Sequence, residues 1–327
     1  MLEERELLPQ TRSLSIVIPV YNSEQSLPIL VSELARALEG FTFEIILVND
    51  GSPDGTWDVI KHLATQYSFV RGIRLMRNYG QHNALLCGIR AAQYDTTVTM
   101  DDDLQNPPRE IPRLVSTLDE AWDVVYGTPR RESHGLLRDV ASRITKLALQ
   151  DAMGVETARR VSAFRAFRTF LRLAFADYDG PYVSIDVLLT WGANRFTWVE
   201  VENPPRTIGI SNYTVTKLLA HALNMMTGFS AMPLQVASML GFGLTLFGTG
   251  VLVFVLGRYF IQGSSVPGFP FLASIVSIFS GAQLFALGVI GEYLARIHFR
   301  TMRRPSYVVL GETVDRSGIS AGVSAHS

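Results

Sequence analysis

The chain has 327 residues, 47% of them hydrophobic and only 18% charged, with a formal net charge of −1. That length holds one large domain or two smaller ones, and the near-zero charge supplies no basic field for a nucleic-acid partner. A single cysteine, Cys87, excludes an intrachain disulfide and a cysteine-rich zinc site, and reads as a small buried core residue.

Residues 1–13 are acidic and lack an apolar core, so they read as an N-terminal extension rather than a secretory signal. Residues 14–20 form an apolar, β-branched run that stops at Tyr21-Asn22. A helical stretch over 25–38 follows, then a second apolar run over 43–48. Asn49-Asp50-Gly51-Ser52-Pro53-Asp54-Gly55 is a dense turn signal, with Thr56 placed to cap a helix over 57–67. Strand 70–76, helix 81–92 and strand 96–100 come next, and the last ends on Asp101-Asp102-Asp103. Helix 109–118 and strand 123–126 complete the regular part.

Strands alternating with helices of this length predict an α/β fold with a mostly parallel sheet and right-handed crossovers. Continuous apolar strands fit a sheet covered on both faces. Ligands of such sheets bind at the carboxyl ends of the strands. Asn22, Asp50 and Asp101 all fall there. No G-x-G-x-x-G follows the first strand, which excludes a dinucleotide-binding dehydrogenase.

Residues 136–154 read as an amphipathic helix with Val140, Ile144, Leu147 and Ala148 on one face, and 217–226 as a second. Either packs on its own domain or lies at a membrane surface. The intervening stretch to 205 is mixed. Residues 229–257 and 269–291 carry no charge, and each exceeds the roughly 20 residues needed to span a bilayer. The connector has one arginine, whereas Arg296, Arg300, Arg303 and Arg304 follow the second span. The positive-inside rule then puts both ends in the cytoplasm, and with them the domain before the first span. The expected organisation is a cytoplasmic domain over 14–228, a two-helix anchor over 229–298 and a cytoplasmic tail over 299–327, disordered after Gly311.

Three consecutive carboxylates at a strand end repel one another. They form either a solvated acidic loop capping the next helix or a site neutralised by a hard divalent cation. On an extended segment Asp101, Asp103 and Gln105 share a face.

Several segments together carry a resemblance. Ile18-Pro19-Val20-Tyr21-Asn22, Val48-Asn49-Asp50-Gly51-Ser52, Arg77-Asn78-Tyr79-Gly80-Gln81 and Met100-Asp101-Asp102-Asp103-Leu104-Gln105-Asn106-Pro107-Pro108 are four of them. Phe229-Ser230-Ala231-Met232-Pro233-Leu234 and Gly291-Glu292-Tyr293-Leu294 are two more. The ordered set resembles the family 2 glycosyltransferases of GT-A fold, and more closely their polyprenyl-phosphate branch, over about residues 14–310. That branch includes the bactoprenol glucosyltransferases, dolichol-phosphate mannose synthase and the undecaprenyl-phosphate aminoarabinose transferase.

The resemblance implies an inner (plasma) membrane enzyme with two C-terminal spans. It would move a sugar from a nucleotide-sugar onto a polyprenyl phosphate, using Mg²⁺ or Mn²⁺. Glucose from UDP-glucose is the first reading of the donor, with GDP-mannose and other UDP-sugars open. A homo-oligomer, a tetramer, is implied in the same way. Pro19, Tyr21, Glu24 and Asp50 would hold the nucleoside, and Asp101, Asp103 and Gln105 the metal and diphosphate. Arg130 would bind phosphate; Arg138 and Ser142, in an Arg-x-x-x-Ser pattern, the acceptor phosphate; and Arg206 a phosphate from a loop before the membrane. Arginine's rigid fork suits these contacts.

Two positions depart from the branch. Asn212 stands where many relatives have lysine, and Ser162-Ala163-Phe164-Arg165 replaces Gly-Asp-Phe-Arg, so a carboxylate base is missing there. A processive polysaccharide synthase of the same superfamily would carry Gln-x-x-Arg-Trp, which is absent; Trp191 and Trp198 lie in other contexts. A non-catalytic nucleotide-sugar-binding membrane protein would have an eroded acidic site, whereas Asp101, Asp103 and Gln105 are intact.

Overall fold

The computed structural model describes residues 13–129, 158, 160–180, 183–202, 232–262, 268–302 and 304–313. Four parallel strands make the centre of the sheet. They are β1 (Ser13–Val20), β2 (Thr42–Asn49), β3 (Val70–Leu75) and β4 (Thr96–Thr99), and they lie in the order β4-β1-β2-β3.

Alternation along these strands feeds two cores. Ile16, Ile18, Ile45 and Leu47 face α1 (Leu27–Ala37), α2 (Thr56–Gln66) and α4 (Ile111–Thr117) through Leu30, Leu34, Ile60 and Leu114. Val17, Ile46, Val48 and Ile73 face α3 (Gln81–Ala91) and α5 (Ile185–Thr190) through Leu86, Ile89, Leu188 and Leu189. The uninterrupted apolar runs arise because both faces are covered. Cys87 sits in the second core, where burial pushes its thiol up to about 12, so it is an inert packing residue.

The other strands are β5 (Val124–Pro129), β6 (Arg165–Arg168), β7 (Phe196–Val201) and β8 (Val309–Glu312), and the full order is β7-β5-β6-β4-β1-β2-β3-β8. The sheet is mostly parallel, as expected, but β6 runs antiparallel between β4 and β5, and β8 runs antiparallel along β3.

β8 was not foreseen: no element was expected over 309–311, and the tail after Gly311 was expected to be disordered. Instead the Gly72 N–H donates to Thr313 Oγ1 at 2.8 Å, and the Thr313 N–H to the Gly72 carbonyl at 3.0 Å. Glu312 lies 3.9 Å from the Arg71 guanidinium, and the Ser306 hydroxyl donates to the Gly180 carbonyl at 3.1 Å. Residues 314–327 lie outside the described residues.

α6 (Met232–Gln262, 31 residues) and α7 (Phe269–Thr301, 33 residues) are both long and apolar enough to cross a membrane, over Leu234–Arg258 and Ile278–Ala295. Neither window is buried within the chain, and Phe247, Val253, Phe254, Leu284 and Phe285 point outward. The helices touch closely at Gly248, where a β-carbon would stand 2.6 Å from the Phe279 ring. The Thr245 and Thr249 hydroxyls each bond a carbonyl one turn back at 2.9 Å, so neither is left unpaired in an apolar setting. From Met302 to the start of β8, even fully extended chain reaches only about 25 Å. The second helix is therefore tethered close to the sheet.

Candidate active site

From β1 the chain steps to β2 and β3 on one side, then crosses back to β4 on the other. This reversal opens a crevice beyond the carboxyl ends of β1 and β4, the place where open α/β sheets bind ligands.

Three loops line it and fasten one another. Asn22 turns the chain after β1 with a left-handed φ of 57°, and its N–H donates to Ser52 Oγ at 3.1 Å. The Ser23 N–H donates to Thr56 Oγ1 at 2.9 Å, and the Gly55 N–H to Glu24 Oε2 at 3.2 Å. Thr56 therefore does not cap α2 as expected. Gly55 holds the cap position, and the buried Thr56 hydroxyl is used to fix the β1 loop. Asp50, after β2, is buried, and its Oδ1 and Oδ2 accept the N–H groups of Tyr79 and Gly80 at 2.7 and 2.8 Å. Burial pushes its carboxyl above the usual range, while those two N–H groups and the Arg77 charge pull it back. The Arg77 guanidinium stacks 4.5 Å over the Tyr79 ring.

The acidic triplet divides by its partners. Asp101 and Asp103 are half-buried. Asp101 accepts a hydrogen bond from the Gln81 side-chain amide, and Asp103 Oδ1 accepts the Gln105 N–H at 3.1 Å across the left-handed Leu104 (φ 62°). Asp102, half-buried like its neighbours, accepts the Ser23 hydroxyl and, at 3.4 Å, the Tyr21 N–H instead. It thus pins the β4 end to the β1 end.

Of the residues expected to hold a nucleoside, Tyr21 stands exposed at the mouth, Glu24 and Asp50 sit in the fastened loops, and Pro19 is buried within β1 opposite Val48. Arg130, Arg138, Ser142, Arg206 and Asn212 lie outside the described residues, as do the stretches 136–154 and 217–226. Ala163 lies beside the β4 end, its carbonyl accepting the Thr99 hydroxyl at 2.8 Å, so the position where the resemblance led to the expectation of a carboxylate bears only a methyl group.

Among the described residues no three His, Cys, Asp or Glu side chains converge into a metal cage. Two half-exposed carboxylates two positions apart, Asp101 and Asp103, do fit Mg²⁺ or Mn²⁺, since such ions take one or two carboxylates and complete their shell with water and substrate phosphates. Sequence reasoning missed the pinning role of Asp102 and the parts played by Ser23 and Gln81. Gln81 was at least inside a stretch singled out by resemblance.

Burial, aided by the nearby Asp103 charge, holds the Asp102 carboxyl above its usual range. A raised folded-state pKa stabilises the fold only at low pH, and that contribution is lost as pH rises through the raised value. Asp102→Asn keeps an acceptor oxygen and sheds the buried charge. Metal-free Asp102→Asn protein is therefore expected to melt no lower than wild type at pH 7, with any advantage shrinking toward pH 4. Melting curves across pH in detergent check this; a clearly lower midpoint at pH 7 would refute it.

The glycosyl transferase family 2 model matches residues 15–178, about half of the chain and all of this crevice. An undecaprenyl-phosphate 4-deoxy-4-formamido-L-arabinose transferase from Yersinia enterocolitica is 35% identical over 303 residues, 91% of this chain and 93% of that one. The protein of the same name from Shewanella sediminis is 35% identical over 315 residues, 94% and 95% of the two chains. Among solved structures, glucosyl-3-phosphoglycerate synthase from Mycobacterium tuberculosis, crystallised with Mn²⁺, UDP and phosphoglyceric acid, superposes with a TM-score of 0.53 at 21% identity. That likeness covers 66% of this chain and 76% of the other, and it concerns the fold, which is the GT-A arrangement expected from the sequence. By family model and near-full-length likeness, the chain belongs to the family 2 glycosyltransferases, in their polyprenyl-phosphate branch.

Proposed function

We propose that the chain transfers a glycosyl group from a nucleotide-sugar to undecaprenyl phosphate at the cytoplasmic face of the inner membrane. The carrying observation is the likeness to undecaprenyl-phosphate sugar transferases over 91% of the chain, a stretch too long to leave out the α6–α7 hairpin. A soluble acceptor would need no such hairpin; a long-chain lipid phosphate is found only at a membrane.

The chemistry agrees with what the crevice contains and lacks. A phosphate acceptor is already anionic near neutral pH, so it needs positioning more than a base. Ala163, where a carboxylate base is missing, is consistent with that. In a single inverting displacement, a lipid phosphate oxygen attacks the anomeric carbon. The bond from that carbon to the diphosphate breaks, and the nucleoside diphosphate leaves with the electron pair. Tyr21, Glu24 and Asp50 would surround the nucleoside, while Asp101 and Asp103, with Gln105, would face the diphosphate. A divalent cation bound there would neutralise charge developing on the leaving group. Arg130, Arg138, Ser142 and Arg206 would hold the donor and acceptor phosphates.

Glucose from UDP-glucose is the first donor reading. Nucleotide-activated 4-deoxy-4-formamido-L-arabinose is the second, favoured by the sugar named for the near-full-length relatives. The test uses detergent-purified full-length protein, undecaprenyl phosphate and Mn²⁺ or Mg²⁺. Parallel arms carry labelled UDP-glucose, GDP-mannose and the activated formamido-arabinose. Label in the lipid from one arm, lost with EDTA, is expected. Transfer that survives EDTA overturns the metal requirement alone; transfer from no arm by folded protein overturns the lipid-glycosylation reading.

A further inference from the structure

Arg165 is the first residue of β6, the strand lying between β4 and β5. It stands opposite Thr99 on β4 and Tyr126 on β5. The residue is 1% exposed. Nε donates to Thr99 Oγ1 at 3.0 Å, and Nη1 binds Asp186 Oδ1 in an ion pair. The same carboxylate oxygen accepts the Tyr126 hydroxyl at 3.1 Å. One buried guanidinium therefore spaces the ends of β4 and β5 and ties both to α5.

Such a pair is weak evidence for stability, because well-packed apolar side chains of similar volume serve as well or better. Its position suggests another use. Thr99 is the last residue of β4, and Asp101 follows two residues later. A second line of contact reaches the same carboxylate. Ile185, next to Asp186, donates its N–H toward His82 Nδ1 at 3.5 Å, and His82 follows Gln81, whose amide holds Asp101. Asp101 is thus approached from Asp186 along the strand and along the helix.

We propose that Arg165 and Asp186 are positioning residues that set where Asp101 presents its carboxylate to the donor diphosphate and its cation. This rests on the glycosyl-transfer reading of the crevice, but its readout does not require transfer. Partners lying behind a metal ligand commonly change metal affinity by about 10–100-fold when removed.

The experiment compares full-length wild type, Asp186→Asn, the paired Arg165→Met/Asp186→Leu variant and the near-isosteric Thr99→Val. Each is titrated with Mn²⁺ by electron paramagnetic resonance, alone and with UDP, and each is melted. Asp186→Asn is expected to lose both stability and Mn²⁺ affinity. The paired variant, in which the Tyr126 hydroxyl loses its acceptor but no buried charge is left unpaired, should melt above Asp186→Asn yet bind Mn²⁺ at least about tenfold more weakly than wild type. Thr99→Val should fold and weaken Mn²⁺ binding severalfold, raising KM for the metal more than it lowers kcat. Wild-type Mn²⁺ affinity in a folded paired variant overturns the proposal. If the paired variant does not fold, wild-type affinity in Thr99→Val overturns it. Wild-type protein that binds no Mn²⁺ also overturns it, while labelled-lipid formation judges the glycosyl-transfer reading separately.

Discussion

Asp103→Ala is expected to lower kcat/KM for lipid glycosylation by about 10²–10³, the range seen when one preorganised charge-stabilising group is lost. The melting midpoint should barely move. Asp103 is half-exposed, and its bond with the Gln105 N–H is local, so its removal leaves no deep vacancy and no buried orphan. The effect on chemistry is large because the carboxylate set is small. Asp102 is engaged by Ser23 and Tyr21, and no three-ligand cluster exists among the described residues to take over. Steady-state kinetics over a Mn²⁺ series, beside a melting curve, check this. Activity above about a tenth of wild type would show that Asp103 does not face the diphosphate.

The contrast between Asp102 and its neighbours marks how far the sequence could be read. The run of three aspartates and its place after β4 were legible, because a buried strand ending in charge is a strong pattern. Which carboxylate pins the β1 end was not legible, since that depends on the Ser23 hydroxyl arriving from another loop. The first four strands and first three helices fall within two residues of expectation, because both faces of the sheet are covered and the apolar runs are unbroken. β6 and β8 both escaped. β6 is four residues long, two of them arginine, and one of those is buried by a partner 21 positions away. β8 lies beyond the α6–α7 hairpin and is four residues long, too short to stand out as a strand from local composition, so that only the free edge of β3 argues for it.

β8 also changes how the α6–α7 hairpin is understood. The sequence suggests an anchor followed by a loose tail. In the fold, the chain leaving α7 returns to the sheet, and Met76, just past the carboxyl end of β3, donates its N–H to the Val308 carbonyl at 2.9 Å. That end of β3 lies on the same edge as Asp50 and Asp101. A short connector therefore joins the second helix to the sheet edge on which the crevice lies. Such an attachment suits an enzyme whose acceptor is confined to the membrane surface.

Gly51→Ala is expected to be the most damaging single methyl group in the crevice. Gly51 has a φ of 65°, and a β-carbon there would lie 2.5 Å from the Arg77 carbonyl carbon and 2.6 Å from the Asn78 nitrogen. Both are backbone atoms, so no side chain can swing aside. The left-handed conformation costs an alanine about 1–2 kcal/mol, and overpacking adds about 1–3 kcal/mol. Relief by shifting residues 77–80 would pull Tyr79 and Gly80 from the Asp50 carboxylate, and Gln81, which holds Asp101, comes next. The melting midpoint should drop by roughly 10 °C, at about 2–4 °C per kcal/mol. KM for the nucleotide-sugar should rise at least about tenfold, because the displaced loop shapes the surface on which the donor binds. Gly40→Ala separates the two causes. Gly40 has a φ of 89° but nothing within 4 Å of its would-be β-carbon, so it reports backbone strain alone. If Gly51→Ala and Gly40→Ala melt alike and keep the same KM, the two loops are not interlocked as described, and the crevice owes its shape to something other than the close approach of Gly51 to Arg77.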